Sequence, residues 1–130
     1  MKTVLVSAVA LIEPDGRILL AKRQEGKSMA GLWEFPGGKV ENDEDIYTAI
    51  IREIDEELQC DIDVVEQFNE HTHEYDTFII NLIAIKSKII KGAPTPNEHS
   101  QLIWLKRENL ESLVWAPADI PAVKQLINEK

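Results

Sequence analysis

The strongest constraint on the fold of this chain is an amphipathic repeat in the stretch Gly38 to Cys60, GKVENDEDIYTAIIREIDEELQC. Ile46, Ile50, Ile54 and Leu58 recur every fourth residue, a spacing that a helix gathers into one apolar stripe. At helical spacing Glu53, Glu56 and Glu57 fall within an arc of roughly 100° beside that stripe. Like charges three and four residues apart cost an isolated helix about 0.2–0.5 kcal/mol per pair, and more once partly desolvated. The pattern predicts a helix that docks on a core and presents its acids at the core's edge, where a cation offsets their repulsion. Clustered carboxylates suit hard divalent cations, and Mg²⁺ in particular is held by a few carboxylates, retained waters and substrate phosphates.

Around this helix, β-branched and aliphatic runs at 3–12 and 17–22 read as two strands joined by Glu13-Pro14-Asp15-Gly16, which predicts a hairpin where a signal peptide would otherwise be considered. A polar loop at 24–31 leads to a short apolar segment at 32–35, broken by Pro36-Gly37-Gly38. Adjacent glycines let a backbone approach a ligand closely. Asn42 or Asp43 is the expected N-cap of the acidic helix. Strands are expected at 61–68 and 77–86, with Ile89 and Ile90 continuing the second, around a polar stretch at 69–76. Glu98 ends a loop just before a strand at 101–105, a short helix is expected at 108–113, and an amphipathic helix at 120–128. Strands before and after a central helix predict a mixed sheet covered by helices, an α+β or α/β arrangement in a single domain over residues 1–130.

Composition narrows the partners. A formal charge of −9 opposes binding to a long phosphate polymer, whose affinity comes mainly from Lys and Arg contacts, but permits one small phosphorylated molecule if metal ions neutralise it and the acidic face. No uninterrupted apolar run reaches membrane-spanning length. The lone cysteine, Cys60, forms no internal disulfide, fits a reducing cytoplasm and reads as a small buried hydrophobe. The expectation is a cytoplasmic monomer acting on a small molecule, away from nucleic acid and membrane.

The stretch from Gly38 also resembles the Nudix box, through Gly38, Glu44, Arg52, Glu53, Ile54, Glu56 and Glu57. It departs at the box's final glycine, which is Gln59 here, followed by Cys60 where an aliphatic residue is usual. A left-handed non-glycine residue at that helix exit costs roughly 1–2 kcal/mol. Among Nudix proteins the chain is most similar to MutT-type enzymes, through residues 32–39, Glu98 before a strand carrying Trp104, and Pro117-Ala118-Asp119. The resemblance implies an α/β/α sandwich with the box as a loop-helix-loop. It also implies a Mg²⁺-dependent enzyme, Mn²⁺ being able to substitute, that hydrolyses a nucleoside triphosphate to monophosphate and pyrophosphate. By the same resemblance Glu56 and Glu57 are principal metal ligands, Glu53 a ligand or proton acceptor, Glu98 a further ligand or the general base, and the Gly37 carbonyl one more oxygen. Glu53 and Glu98 both stand as candidates for the base, because the choice turns on a hydrogen bond to a water. Arg52 is expected to hold the carboxylates in orientation, and Glu44 to act structurally or toward a secondary metal.

Arg23, Phe35, Gly38, Lys39 and Asp119 stand where MutT-type enzymes contact the nucleotide. A carboxylate at 119 accepts hydrogen bonds from ring N–H or exocyclic amino groups. It suits 8-oxoguanine, whose N7 carries a hydrogen, and the leading expectation is removal of 8-oxo-dGTP before polymerases insert it, a role in mutation avoidance. Cytosine's N4 amino group satisfies the same carboxylate, so CTP or dCTP is the alternative. ADP-ribose or another dinucleotide sugar, and a binding module without turnover, are further readings. Asp119 also suits a helix N-cap beside Pro121, Arg23 a solvated strand end and Phe35 the core, while Trp33 and Trp115 suit the base pocket and the core equally. His71 and His73 alternate as on a strand and imitate a metal pair, but no cysteine lies nearby and the acid-rich stretch already offers a metal site.

Overall fold

A computed structural model describes residues 1–129 of the chain. Its strands are β1 (Lys2–Leu11), β2 (Ile18–Arg23), β3 (Trp33–Glu34), β4 (Gly37–Lys39), β5 (Asp61–Glu74), β6 (Phe78–Lys91) and β7 (His99–Leu105). The helices are α1 (Ile46–Leu58) and α2 (Ile120–Asn128), with 3₁₀ turns at Arg107–Ser112 and Pro117–Asp119. A mixed sheet runs β4-β1-β6-β5, in which β1 lies parallel to β6 and the other pairs are antiparallel. The second sheet, β3-β2-β7, is antiparallel throughout.

Strand β1 explains the layering. Its residues Ser7 to Leu11 are buried in succession, as expected of a strand covered on both faces. Ala8 and Ala10 join Leu82, Ala84, Val123 and Leu126 in a core on the α2 side. Val9 and Leu11 point the other way, to Ile50, Ile54, Leu58, Ile83 and Ile85 under α1. The sandwich therefore has a helix on each side, and the stripe read from the sequence is the face that α1 buries. Each such aliphatic side chain contributes about 1.5–3 kcal/mol on burial. Cys60 is buried in the α1-side core, and Trp33 and Trp115 in the α2-side core.

Several local expectations are corrected. The two N-terminal strands make a turn but no extended hairpin: after the single bridge Ile12↔Ile18, β1 and β2 enter different sheets. Both edges of β1 are already taken, by β6 and β4, so β2 pairs with β3 and β7. The Gly37-Gly38 pair continues as strand, with Ala8↔Gly37 and Ser7↔Gly38 in register. Asp45, not Asn42 or Asp43, caps α1, its Oδ1 accepting from the Thr48 N–H at 2.8 Å. Asn42 and Asp43 form the preceding turn, with Asp43 left-handed at φ 65°. The polar stretch is largely strand: β5 extends to Glu74, and only a tight turn follows, where the Tyr75 N–H donates to Phe78 O at 2.8 Å. As the edge strand of its sheet, β5 keeps most of its residues exposed or half-buried and so tolerates polar ones. The expected helix at 108–113 is the 3₁₀ turn Arg107–Ser112.

Candidate active site

The site begins where β4 lies between β1 and α1. A Cβ on Gly37 would stand 2.0 Å from the Ser7 carbonyl oxygen, and one on Gly38 2.5 Å from the Glu53 carboxylate. Glycine at both places lets the helix acids approach the strand backbone directly.

Arg52 organises the helix side. Its Nε and Nη2 donate to the two oxygens of Glu44, at 2.8 and 2.9 Å, and its Nη1 donates to Glu53 Oε1 at 2.9 Å and to Glu56 Oε2 at 3.4 Å. Nη2 also donates to the Lys39 carbonyl at 3.1 Å, tying α1 to β4. The bidentate contact with Arg52 holds the Glu44 carboxyl down at about 2.

The three helix glutamates occupy different environments. Glu56 stays largely exposed. Glu53 is partly buried, and desolvation raises its carboxyl above the usual range against the pull of Arg52. Glu57 is 4% exposed, its Oε2 has no hydrogen-bond partner, and burial, reinforced by Glu53, Glu98 and Glu34, pushes it up to about 9. Glu53, Glu57 and Glu98 line one cleft of about 320 Å³ together with Gly37, Gly38 and the cations Arg23, Lys27 and Lys39.

These donors suit a divalent cation: they are hard carboxylate oxygens at a glycine-opened strand, one of them buried without a partner. Glu53 and Glu56 turn toward Arg52 while Glu57 turns inward. Among the described residues, no three His, Cys, Asp or Glu side chains converge on a single point at metal-binding distance.

A second cavity, about 280 Å³, shares Arg23, Glu34, Gly37, Gly38 and Lys39 with the first and is walled by Phe35, Tyr75, Phe78 and Leu82. Asp119 lies at its base. The Asp119 side chain makes no helix-capping bond; its Oδ2 accepts from the Phe35 N–H at 3.0 Å, and burial, then the charge of Glu34, pushes its carboxyl up to about 8. Phe35 is both core and wall, its ring 5.2 Å from that of Trp115. The Tyr75 hydroxyl accepts from the Ala118 N–H at 3.3 Å. Arg23 is no free strand end: its Nη1 donates to Glu34 Oε1 at 2.9 Å and its Nε to the Ser28 carbonyl at 2.7 Å.

Sequence reasoning missed Glu34, Tyr75 and His99. The alternation His71, His73, Tyr75 was a period-two signal for a strand, and it would have carried Tyr75 toward the cavity. Glu34 and His99 gave no comparable signal, because their roles depend on cross-strand register.

Comparison with known proteins agrees with this architecture. A family model described as the NUDIX domain matches residues 7–125. The chain is 43% identical over 124 residues to the CTP pyrophosphohydrolase of Escherichia coli K12, covering 95% of this chain and 91% of that one. It is 30% identical over 128 residues to the 8-oxo-dGTP diphosphatase of Haemophilus influenzae, covering 98% and 94%. The solution structure of MutT from methicillin-resistant Staphylococcus aureus 252 superposes with a TM-score of 0.81 at 43% identity over the full length of both chains. The chain belongs to the Nudix hydrolase family. Its chemistry is that of a pyrophosphohydrolase, in a family whose members use a divalent metal. Among the described residues no helix is long and apolar enough to cross a membrane.

Proposed function

We propose that this enzyme hydrolyses cytidine triphosphates, CTP or dCTP, to the monophosphate and pyrophosphate, with Mg²⁺ as its metal, as a cytoplasmic single-domain monomer. The observation that carries the base assignment is Asp119. It is buried at the foot of an aromatic cavity, with Oδ2 engaged by the Phe35 N–H, and that cavity opens into the acid-lined cleft. A carboxyl group fixed there, protonated below about 8, both donates and accepts, matching the N3 acceptor and N4 amino donor of cytosine, while the Phe35 and Tyr75 rings give apolar surface to a base. The relative named CTP pyrophosphohydrolase, at 43% identity, supports cytosine.

Glu53, Glu56, Glu57, Glu98 and the Gly37 carbonyl are the oxygens that would hold the cation. When bound, it neutralises phosphate charge and lowers the pKa of a coordinated water. The chain's own residues supply the rest. Lys27, Lys39 and Arg23 bring positive charge to the cleft wall, where a triphosphate needs it. Arg52 orients Glu53, and Glu53 or Glu98 takes the proton from the attacking water. Glu44 fixes Arg52 in turn. Gly38 and Lys39 form the strand backbone along which the phosphates lie.

Removal of 8-oxo-dGTP is the second reading, favoured by the relative at 30% identity that carries that activity in its name. The same protonated carboxyl donates to the O6 and accepts from the N7–H of 8-oxoguanine. A nucleotide panel with product analysis decides between them. CTP or dCTP is expected to have the highest kcat/KM with Mg²⁺, with pyrophosphate released, and Glu53→Gln to lose activity by about 10²-fold or more with the fold retained. An 8-oxo-dGTP value above both cytidine nucleotides overturns the cytosine assignment, and release of single phosphate overturns the reaction.

A further inference from the structure

The second sheet places three polar side chains in a row across three strands. Its registers pair Ala21 with Glu34 and Arg23 with His99, and a bulge between Lys22 and Arg23 leaves Ser100 unpaired. Bulges re-aim side chains, and this one lies beside the cleft. His99 is turned inward, 5% exposed, while its neighbour Glu98 stays at the cleft.

The Glu34 carboxylate is thereby gripped from both sides. Oε1 accepts from Arg23 Nη1 at 2.9 Å, and Oε2 lies 2.9 Å from His99 Nε2. The same imidazole nitrogen faces Glu57 Oε1 at 3.9 Å, across the gap between the second sheet and α1. On the other side of Glu57, Oε2 has no partner, and His99 Nδ1 is likewise buried without one. At 3.9 Å the imidazole packs against Glu57 Oε1 without a hydrogen bond to it, its Nε2 being directed at Glu34, and Oε2 is left free. The free oxygen is the one available to a cation.

We propose that Glu34 and His99 are positioning residues that hold Glu57 for its divalent cation and tie that ligand, through Glu34, to Arg23 at the nucleotide cavity. Neither residue touches the reacting atoms. Glu34 fixes the imidazole, the imidazole sets where the Glu57 carboxylate stands, and the row links nucleotide side to metal side in three contacts. The proposal rests on the reading of Glu57 as a metal ligand.

The test measures Mn²⁺ affinity of the nucleotide-free protein, from the electron paramagnetic resonance signal of free Mn²⁺, on the full chain. Loss of an outer partner of a ligand weakens metal binding by about 10–100-fold. His99→Leu and Glu34→Gln should each bind Mn²⁺ more weakly by that factor. His99→Gln, whose amide N–H reaches toward Glu34 from a similar place, should recover most of the affinity, which a role limited to filling space would not. If His99→Leu fails to fold, Glu34→Gln, at a half-buried position, decides. Glu57→Gln separates the two levels. If it loses Mn²⁺ while both His99→Leu and Glu34→Gln stay within twofold of the unmodified enzyme, the positioning role is overturned. If Glu57→Gln itself binds Mn²⁺ normally, the metal assignment falls and takes the proposal with it.

Discussion

Two adjacent glycines on one short strand carry different constraints, and single methyl groups separate them. At Gly37 an added Cβ meets the backbone of β1, 2.0 Å from Ser7 O and 2.8 Å from Ala8 Cα. Backbone cannot step aside without breaking the β1–β4 register, so Gly37→Ala should cost about 1–3 kcal/mol as overpacking does, lowering Tm by roughly 3–10 °C. At Gly38 the added atom meets only the end of the Glu53 side chain, at 2.5 Å. That carboxylate can swing away cheaply, so Gly38→Ala should leave Tm within about 2 °C while displacing Glu53 from the cleft. Misplacing a catalytic group by about 1 Å costs up to 10²-fold in rate. Thermal unfolding and kcat measured on both variants check the contrast. An active, unfolding-prone Gly38→Ala would contradict this division of roles.

At the scale of elements, α1 ends on Gln59, which holds φ 59° and ψ 39° and donates its N–H to Asp55 O at 3.1 Å. The left-handed exit implied by the box is therefore kept, with a residue poorly suited to it. Gln59→Gly removes a left-handed penalty of roughly 1–2 kcal/mol and adds back part of it as unfolded-chain entropy. A net gain of about 0.5–1 kcal/mol should raise Tm by roughly 2–4 °C with kcat unchanged; a lower Tm would show that the glutamine side chain contributes something its backbone does not reveal. The legibility of the elements followed their periodicity. The stripe Ile46, Ile50, Ile54 and Leu58 marked the buried face of α1, and α2 lies at 120–128 as its pattern predicts. Local signals failed where pairing partners lie far along the chain. The Pro-Asp-Gly turn is real, but β6, some seventy residues away, claims the edge that a hairpin would need. The acidic helix was legible from spacing, whereas the close approach of Glu53 to Gly38 was not. The grip of Glu34 on Arg23 and His99 was not, because it arises from the registers of three strands and a bulge that no local pattern encodes.

For the molecule as a whole, closing the sandwich buries a carboxyl that water would otherwise keep ionised, and folding stability must then depend on pH. Asp119 has an ordinary value near 3.8 when exposed, and burial pushes it up to about 8 in the folded chain. Between those values the folded state binds a proton that the unfolded chain has released, so the contribution of Asp119 to stability is fully present below about 4 and is lost as pH rises toward and through 8. Glu57, pushed up to about 9, acts in the same direction. Glu44, held down at about 2, acts in the opposite sense but only in acid, so it adds no slope between pH 5 and 9. The substitution Asp119→Asn keeps an oxygen to accept the Phe35 N–H and titrates nothing. Thermal unfolding from pH 5 to 9 in a chelator should therefore show Tm falling with pH in the unmodified enzyme and a clearly flatter curve in Asp119→Asn. Saturating Mg²⁺ should flatten what remains, since a cation bound to ionised Glu57 stabilises the folded state more as protons leave it. Parallel slopes for the two proteins in chelator would mean that Asp119 is ionised in its cavity. It would then meet the base as a pure acceptor, and a nucleotide offering it only an acceptor would be rejected at every pH.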